Sequence, residues 1–274
     1  MQRPFASEPF MRKIAILVIA AVNQPLYVHY IKTYWTELIR YANASLPNID
    51  VYLLLENGTP MDEFRDIRYN IIQDEQSDLS QLCDAKFHTQ IIPGVLSKTI
   101  YALELLQDRY DVFFRTNLSS LIAISRFDRF VQSLDSIGYS GAWAWVDGLR
   151  EDLLLHNRIG PDKSIKTLAE LDGFEGNTFI SGAGYFLGSE EARSLVRRKE
   201  LIRYDIVDDV AVGLMFGQHE TLRDFATIIK PDKSADEILD VLRKSTACHF
   251  RLQHFPLSLA EALWSRLQDE PVWM

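Results

Sequence analysis

The sequence predicts an α/β fold, a mostly parallel central sheet flanked by helices, and three observations carry that expectation. Continuous apolar runs recur: IAILVIAAV (14–22), VYLLL (51–55), DVFFR (111–115) and GAWAWV (141–146). Unbroken runs of this kind mark strands whose two faces are both covered, as in parallel sheets. Segments with apolar residues three and four apart lie between them, and strand–helix–strand alternation implies crossovers back onto one sheet.

The elements follow in order. Met11-Arg12-Lys13 ahead of the first run resembles a signal peptide. The run is too short to span a bilayer, and no small-x-small cleavage signal follows. Asn23-Gln24-Pro25 ends it as a loop ends a buried strand, so 14–22 is read as the first strand of a cytoplasmic protein with no transmembrane segment. Residues 26–41 (LYVHYIKTYWTELIRY) have helical spacing, and VYLLL closes on Glu56-Asn57-Gly58. Pro93-Gly94 introduces a helix, VLSKTIYALELLQDRY, with Ile100, Leu103 and Leu106 on one face. YDVFF then ends on Arg115-Thr116-Asn117. Residues 147–178 are polar and loop-like, and FISGAGYFLGS leads into the charged helix EEARSLVRRKE. No repeat or linker divides the chain, so 11–274 reads as a single domain behind an extension, 1–10.

Composition narrows the function. With 29 basic and 38 acidic residues the net charge is −9, which opposes a nucleic-acid partner. Two cysteines, Cys83 and Cys248, are too few for a disulfide framework or a zinc site and point to a reducing compartment.

In open α/β sheets, ligands bind beyond the carboxyl ends of the strands. There the sequence places Asn23, Glu56 and the triplet Arg115-Thr116-Asn117, either as ligand contacts or as ordinary turn chemistry. Lys98 stands in the first turn of its helix, against the helix dipole, a choice that suits a nearby anion or simple solvation. Gly182 and Gly184 interrupt an apolar run, marking close approach of a ligand or a tight packing bulge. Asp208 and Asp209 precede Val210-Ala211-Val212-Gly213. They either cap a helix, or one raises the proton affinity of the other to make a general base.

In order, LSKT (96–99), YDVFFRTNLSS, SGAGYFL, DDVAVG and His249 within ACHFRL resemble the β-1,3-glycosyltransferases of the Fringe and β-1,3-galactosyltransferase type, over roughly residues 90–250. The resemblance implies a GT-A, Rossmann-like fold. Its nucleotide-sugar half would be about 11–122 and its acceptor half about 123–274. It implies inverting transfer of a hexose from a UDP-sugar to a hydroxyl of a glycan or lipid-linked acceptor, as in polysaccharide synthesis. Asp209 would be the base, with Asp208 its acidic neighbour. Asn23, Lys98, Arg115, Thr116, Asn117, Ser119 and Ser120 would line the donor side, with Lys98 and Arg115 near the diphosphate. Gly182, Gly184 and Trp145 would lie on the acceptor side; Trp143 and Trp145 otherwise read as buried strand aromatics.

The chain departs from that family at RTNLSS, where Asn117 and Ser119 stand in place of metal-binding aspartates. Hard divalent cations prefer carboxylate oxygens. The expectation is therefore no required cofactor, or a weakly bound Mn or Mg with Asn117 and His249 as its remaining ligands. Arg115, Lys98 and the Ser119 and Ser120 hydroxyls would then receive the leaving diphosphate. A catalytically inactive nucleotide- or glycan-binding protein, and a retaining transferase or nucleotidyltransferase, are the alternatives. Which sugar is donated and which hydroxyl accepts it depend on pocket contacts that sequence does not display.

Overall fold

The computed structural model describes residues 11–74, 95–145, 178–202 and 208–269. The 1–10 extension, Cys83, Pro93-Gly94 and nearly all of the 147–178 stretch lie outside them. Strand β1 (Ile14–Ile19) is the spine of the central sheet, and all six of its side chains are fully buried. Its pleat sends Ile14, Ile16 and Val18 into one core, with Trp35, Leu38 and Phe127. Ala15, Leu17 and Ile19 enter a second core on the opposite face, with Ile100, Leu103 and Leu195. Two covered faces are why the run carries no polar alternation. Each buried leucine or isoleucine there contributes about 1.5–3 kcal/mol of burial free energy.

Beyond β1 the chain turns into α1 (Pro25–Tyr30), a π-helical turn (Ile31–Trp35) and α2 (Thr36–Ser45), where spacing predicts one regular helix. The wider turn carries a contact from the Thr36 hydroxyl to the Ile31 carbonyl at 2.6 Å. Two consecutive aromatics are buried there. Tyr34 Oη donates to the Ile122 carbonyl at 3.0 Å, and Trp35 Nε1 to the Leu118 carbonyl at 2.9 Å. Both grip the segment that holds RTNLSS, and π-turns often occur beside functional sites.

Strand β2 (Ile49–Glu56), a 3₁₀ segment (Asp62–Asn70), β3 (Ile71–Asp74), α3 (Val95–Leu106), β4 (Val112–Asn117), β5 (Ser120–Ile122) and α4 (Ile124–Ser133) follow. Next come β6 (Ser140–Gly141), β7 (Ala144–Trp145), β8 (Phe179–Ile180), β9 (Gly184–Gly188) and α5 (Ser189–Arg197). The chain closes with α6 (Asp208–Phe216), β10 (Glu220–Thr221), β11 (Ala226–Ile229), α7 (Ala235–Lys244), β12 (His249–Leu252) and α8 (Leu257–Asp269).

Among the described residues the central sheet runs β10-β6-β9-β4-β1-β2-β3. It is parallel through β4, β1, β2 and β3, with β9 antiparallel to both β4 and β6. A smaller sheet, β11-β12-β5, lies beside it. The architecture is thus mixed α/β with a mainly parallel central sheet and flanking helices. Strands from before and after residue 122 share that one sheet.

Two expectations are corrected. GAWAWV is not one parallel strand: Ser140–Gly141 joins the central sheet, while Ala144–Trp145 pairs antiparallel with Phe179–Ile180 in a separate ribbon. FISGAGYFLGS is likewise two strands, β8 and β9, broken at Ser181-Gly182-Ala183. No helix among the described residues is long and apolar enough to cross a membrane.

Candidate functional site

Strand β4 divides two polar clusters because successive side chains leave opposite faces. Arg115 pairs in register with Leu17 and Tyr185 and shares a face with Phe113. Thr116 shares the other with Phe114.

On the first face, Arg115 is almost wholly buried, its Nη2 2.7 Å from Asp208 Oδ2. Nη1 donates to the Gly182 carbonyl, and the guanidinium stands 5.6 Å from the centre of the Tyr185 ring. Asn117 Nδ2 donates to the same carbonyl at 3.0 Å. The Gly182 N–H donates to Asp209 Oδ2 at 2.8 Å, so this one residue touches both the cation and the carboxylate. A Cβ at Gly182 would meet Arg115 Nη1 at 3.1 Å and Asp209 Oδ2 at 3.4 Å. The glycine therefore permits the close approach.

Asp208 and Asp209 form the first turn of α6, where the helix dipole favours carboxylates. Asp209 also accepts the Val210 N–H at 2.9 Å. Burial, and then the charge of Asp208, push the Asp209 carboxyl up to about 7. The Gly182 N–H, Arg115 and the Val210 N–H oppose that rise. Asp209 as a whole residue is half-buried. The buried Tyr185 hydroxyl, with no hydrogen-bond partner among the described residues, completes the cluster. Such an arrangement can take up and release a proton near neutrality.

On the second face, the Thr116 hydroxyl donates to the Ala183 carbonyl at 3.0 Å. It also lies 3.0 Å from Ser120 Oγ and 3.2 Å from His249 Nε2. The His249 ring is buried among Phe114, Phe225 and Trp143, and burial pushes its pKa down to about 3, keeping it neutral. A Cβ on Gly184 would stand 2.8 Å from His249 Cε1 and 2.9 Å from Phe114 Cζ. Beside this cluster Arg251 Nη1 donates to the Ser119 hydroxyl.

Several sequence expectations change here. Lys98 is enclosed rather than facing a ligand: its ammonium is 2.6 Å from Glu56 Oε1 and 3.1 Å from the Ala20 carbonyl. Burial of both partners makes this an internal ion pair closing the ends of β1 and β2. Thr116 and Ser120 are fully buried rather than lining an open crevice; Thr116 lies against His249, and Ser120 against Thr116. The space beside Gly184 is filled by His249 and Phe114. Arg115, Asn117, Gly182, Asp208 and Asp209 do converge. Asn23 is exposed in the turn after β1, and Trp145 sits on β7 with its side chain outside the described residues. Cys248 is a buried free thiol pushed up to about 12 by burial, consistent with a packing role. Sequence reading missed Arg251; a charge set in the apolar run ACHFRL, two residues after His249, was the available signal.

Among the described residues no group of three or more His, Cys, Asp or Glu converges. Asn117 Nδ2 donates to the Gly182 carbonyl, and His249 Nε2 lies 3.2 Å from the Thr116 hydroxyl in the other cluster. A cavity of about 640 Å³ lined by Arg126, Arg129, Leu242, Arg243, Ser245 and Thr246 lies between α4 and α7 and contains none of these residues.

No family model matches the sequence, and no curated protein is similar to it. Among solved structures, the chain is similar to mouse xyloside xylosyltransferase 1, with a TM-score of 0.44 and 10% identity over 90% of this chain and 99% of that one. It is similar to the glycosyltransferase GlyE of Streptococcus pneumoniae, with a TM-score of 0.44 and 10% identity over 96% of this chain and 64% of that one. A third is a glycosyltransferase involved in glycosylation of the major capsid of PBCV-1, with a TM-score of 0.45 and 8% identity over 93% of this chain and 99% of that one.

Proposed function

We propose that the protein is an inverting glycosyltransferase that moves a sugar from a nucleotide sugar, a UDP-sugar, to a hydroxyl of a glycan or lipid-linked acceptor. The observation that carries this reading is the Asp209 carboxyl, enclosed, raised toward neutrality and hydrogen-bonded by Gly182 beside the Arg115–Asp208 pair. A base with proton affinity near the working pH is what removal of a sugar hydroxyl proton requires.

In the proposed step the acceptor O–H gives its proton to the Asp209 carboxylate. The oxygen bonds to the anomeric carbon while the bond to the diphosphate breaks, and that bond's electron pair leaves with the phosphate oxygen. Asp208 pairs with Arg115, and its charge keeps the proton affinity of Asp209 high.

A thermal-shift screen of nucleotide sugars identifies the donor, and Asp209→Asn then tests the base. Transfer should fall about 10²- to 10⁴-fold while donor affinity changes little; undiminished transfer refutes the assignment. Turnover should also be unchanged in EDTA, and strict manganese dependence would contradict the metal-sparing part of the proposal.

A further inference from the structure

Around Arg251 the protein gathers more positive charge and more polar atoms than it satisfies. Arg251 lies on β12 opposite Ser120 of β5, bonded to the Ser119 hydroxyl and, at 3.4 Å, to the Ser119 carbonyl. No carboxylate pairs with it among the described residues. Burial and the facing charge of Arg115 hold its guanidinium below the ordinary arginine value. Arg115, Tyr30 and His249 all lie within electrostatic reach of Arg251. Each keeps one buried polar atom with no hydrogen-bond partner among the described residues: Arg115 Nε, Tyr30 Oη and His249 Nδ1.

Two guanidiniums within electrostatic reach of each other repel, and every unpartnered buried polar atom carries a desolvation cost. Asp208 answers the charge of Arg115 and nothing in the described protein answers that of Arg251. A compact polyanion would satisfy both deficits at once. The position fits, since Ser119 follows β4 while Tyr27 and Tyr30 follow β1, two adjacent parallel strands whose carboxyl ends face the ligand side of such sheets.

We propose that Arg251, backed by Arg115 and the Tyr30 hydroxyl, seats the diphosphate of the nucleotide donor, the place the sequence reading gave to Lys98. The identity of the anion rests on the donor reading above; the need for an anion rests on Arg251, which has no carboxylate partner among the described residues, and on the unpartnered buried atoms near it. The guanidinium then meets the negative charge that grows on the diphosphate as its bond to the anomeric carbon breaks.

Calorimetric titration of the whole protein with inorganic pyrophosphate and, separately, with uridine diphosphate tests this. Arg251→Gln keeps a polar group for Ser119 and should weaken both ligands about 10- to 100-fold. Its melting temperature without ligand should hold or rise, because a repelling charge is gone. Tyr30→Phe removes a hydroxyl with no described partner, leaves the fold intact, and should weaken both ligands about 3- to 10-fold. If Arg251→Gln does not fold, Tyr30→Phe decides alone. Unchanged affinity in the deciding variant, or a wild type that binds neither ligand, overturns the anion seat. Arg251-dependent binding of pyrophosphate with no preference for uridine diphosphate keeps the seat and removes the nucleotide reading. Nucleotide binding that ignores Arg251 does the reverse.

Discussion

Two cations at the ends of neighbouring strands have the same apparent chemistry and different partners. Among the described residues Lys98 meets the Glu56 carboxylate and a backbone carbonyl, with side-chain exposures of 1% and 8% for the pair. Arg115 meets Asp208 at 3% and 17% exposure, and a second carboxylate, Asp209, stands behind it. Among the described residues the first cluster sets one cation against one acid and is closed. The second holds one cation against two acids and stays partly open, so a proton is its natural missing component. Charge mismatch, more than the presence of a charged pair, separates a working site from a structural one.

The comparison can be broken most forcefully at Lys98. Lys98→Met leaves Glu56 buried and alone, and should cost about 3–5 kcal/mol in denaturant unfolding. The double variant Lys98→Met/Glu56→Gln should recover most of that loss. A Lys98→Met protein of normal stability that no longer binds donor would move Lys98 back to the ligand side.

A smaller effect is expected in the pH dependence of stability. The folded Asp209 carboxyl is raised to about 7 from an ordinary value near 4, so the folded state binds the proton more tightly than the unfolded chain. Its contribution is fully present below about pH 4 and is lost as pH rises through about 7. Asp209→Asn should flatten that slope and be the more stable protein at pH 8. An unchanged slope would remove the proton from the account.

The subtlest effect sharpens the roles of the two acids. Asp208→Asn removes the second-largest cause of the raised Asp209 carboxyl. The acid limb of the pH–rate profile should then move down by about one pH unit, with transfer retained. An unmoved limb would assign the ionisation to another group.

How much of this was legible follows from the range of each interaction. The runs at 14–19, 51–55 and 112–115 announce buried strands because both faces are apolar, and that pattern is local. DDVAVG and SGAGY hold residues that converge in the structure, yet nothing local says that Gly182 joins Asp209 to Arg115. Lys98 and Glu56 are 42 positions apart, and Ser119 and Arg251 are 132 apart. Such partners are set by sheet order, which residue types do not display. GAWAWV divides between two sheets for a related reason: an apolar run does not say which strands it pairs with. The π-turn at 31–35 is hidden because the run 26–41 keeps helical spacing across it.

The alternation of β4 also bears on how this chain can change over evolutionary time. Arg115 and Thr116 serve different clusters only because they are neighbours in a fixed frame. Substitutions along 112–117 can be compensated one at a time, since each alters one side of the sheet. A single-residue insertion or deletion exchanges the two sides together: Thr116 would face Asp208, and Arg115 would face the aromatic cage of His249. That segment should drift in composition far more readily than in length.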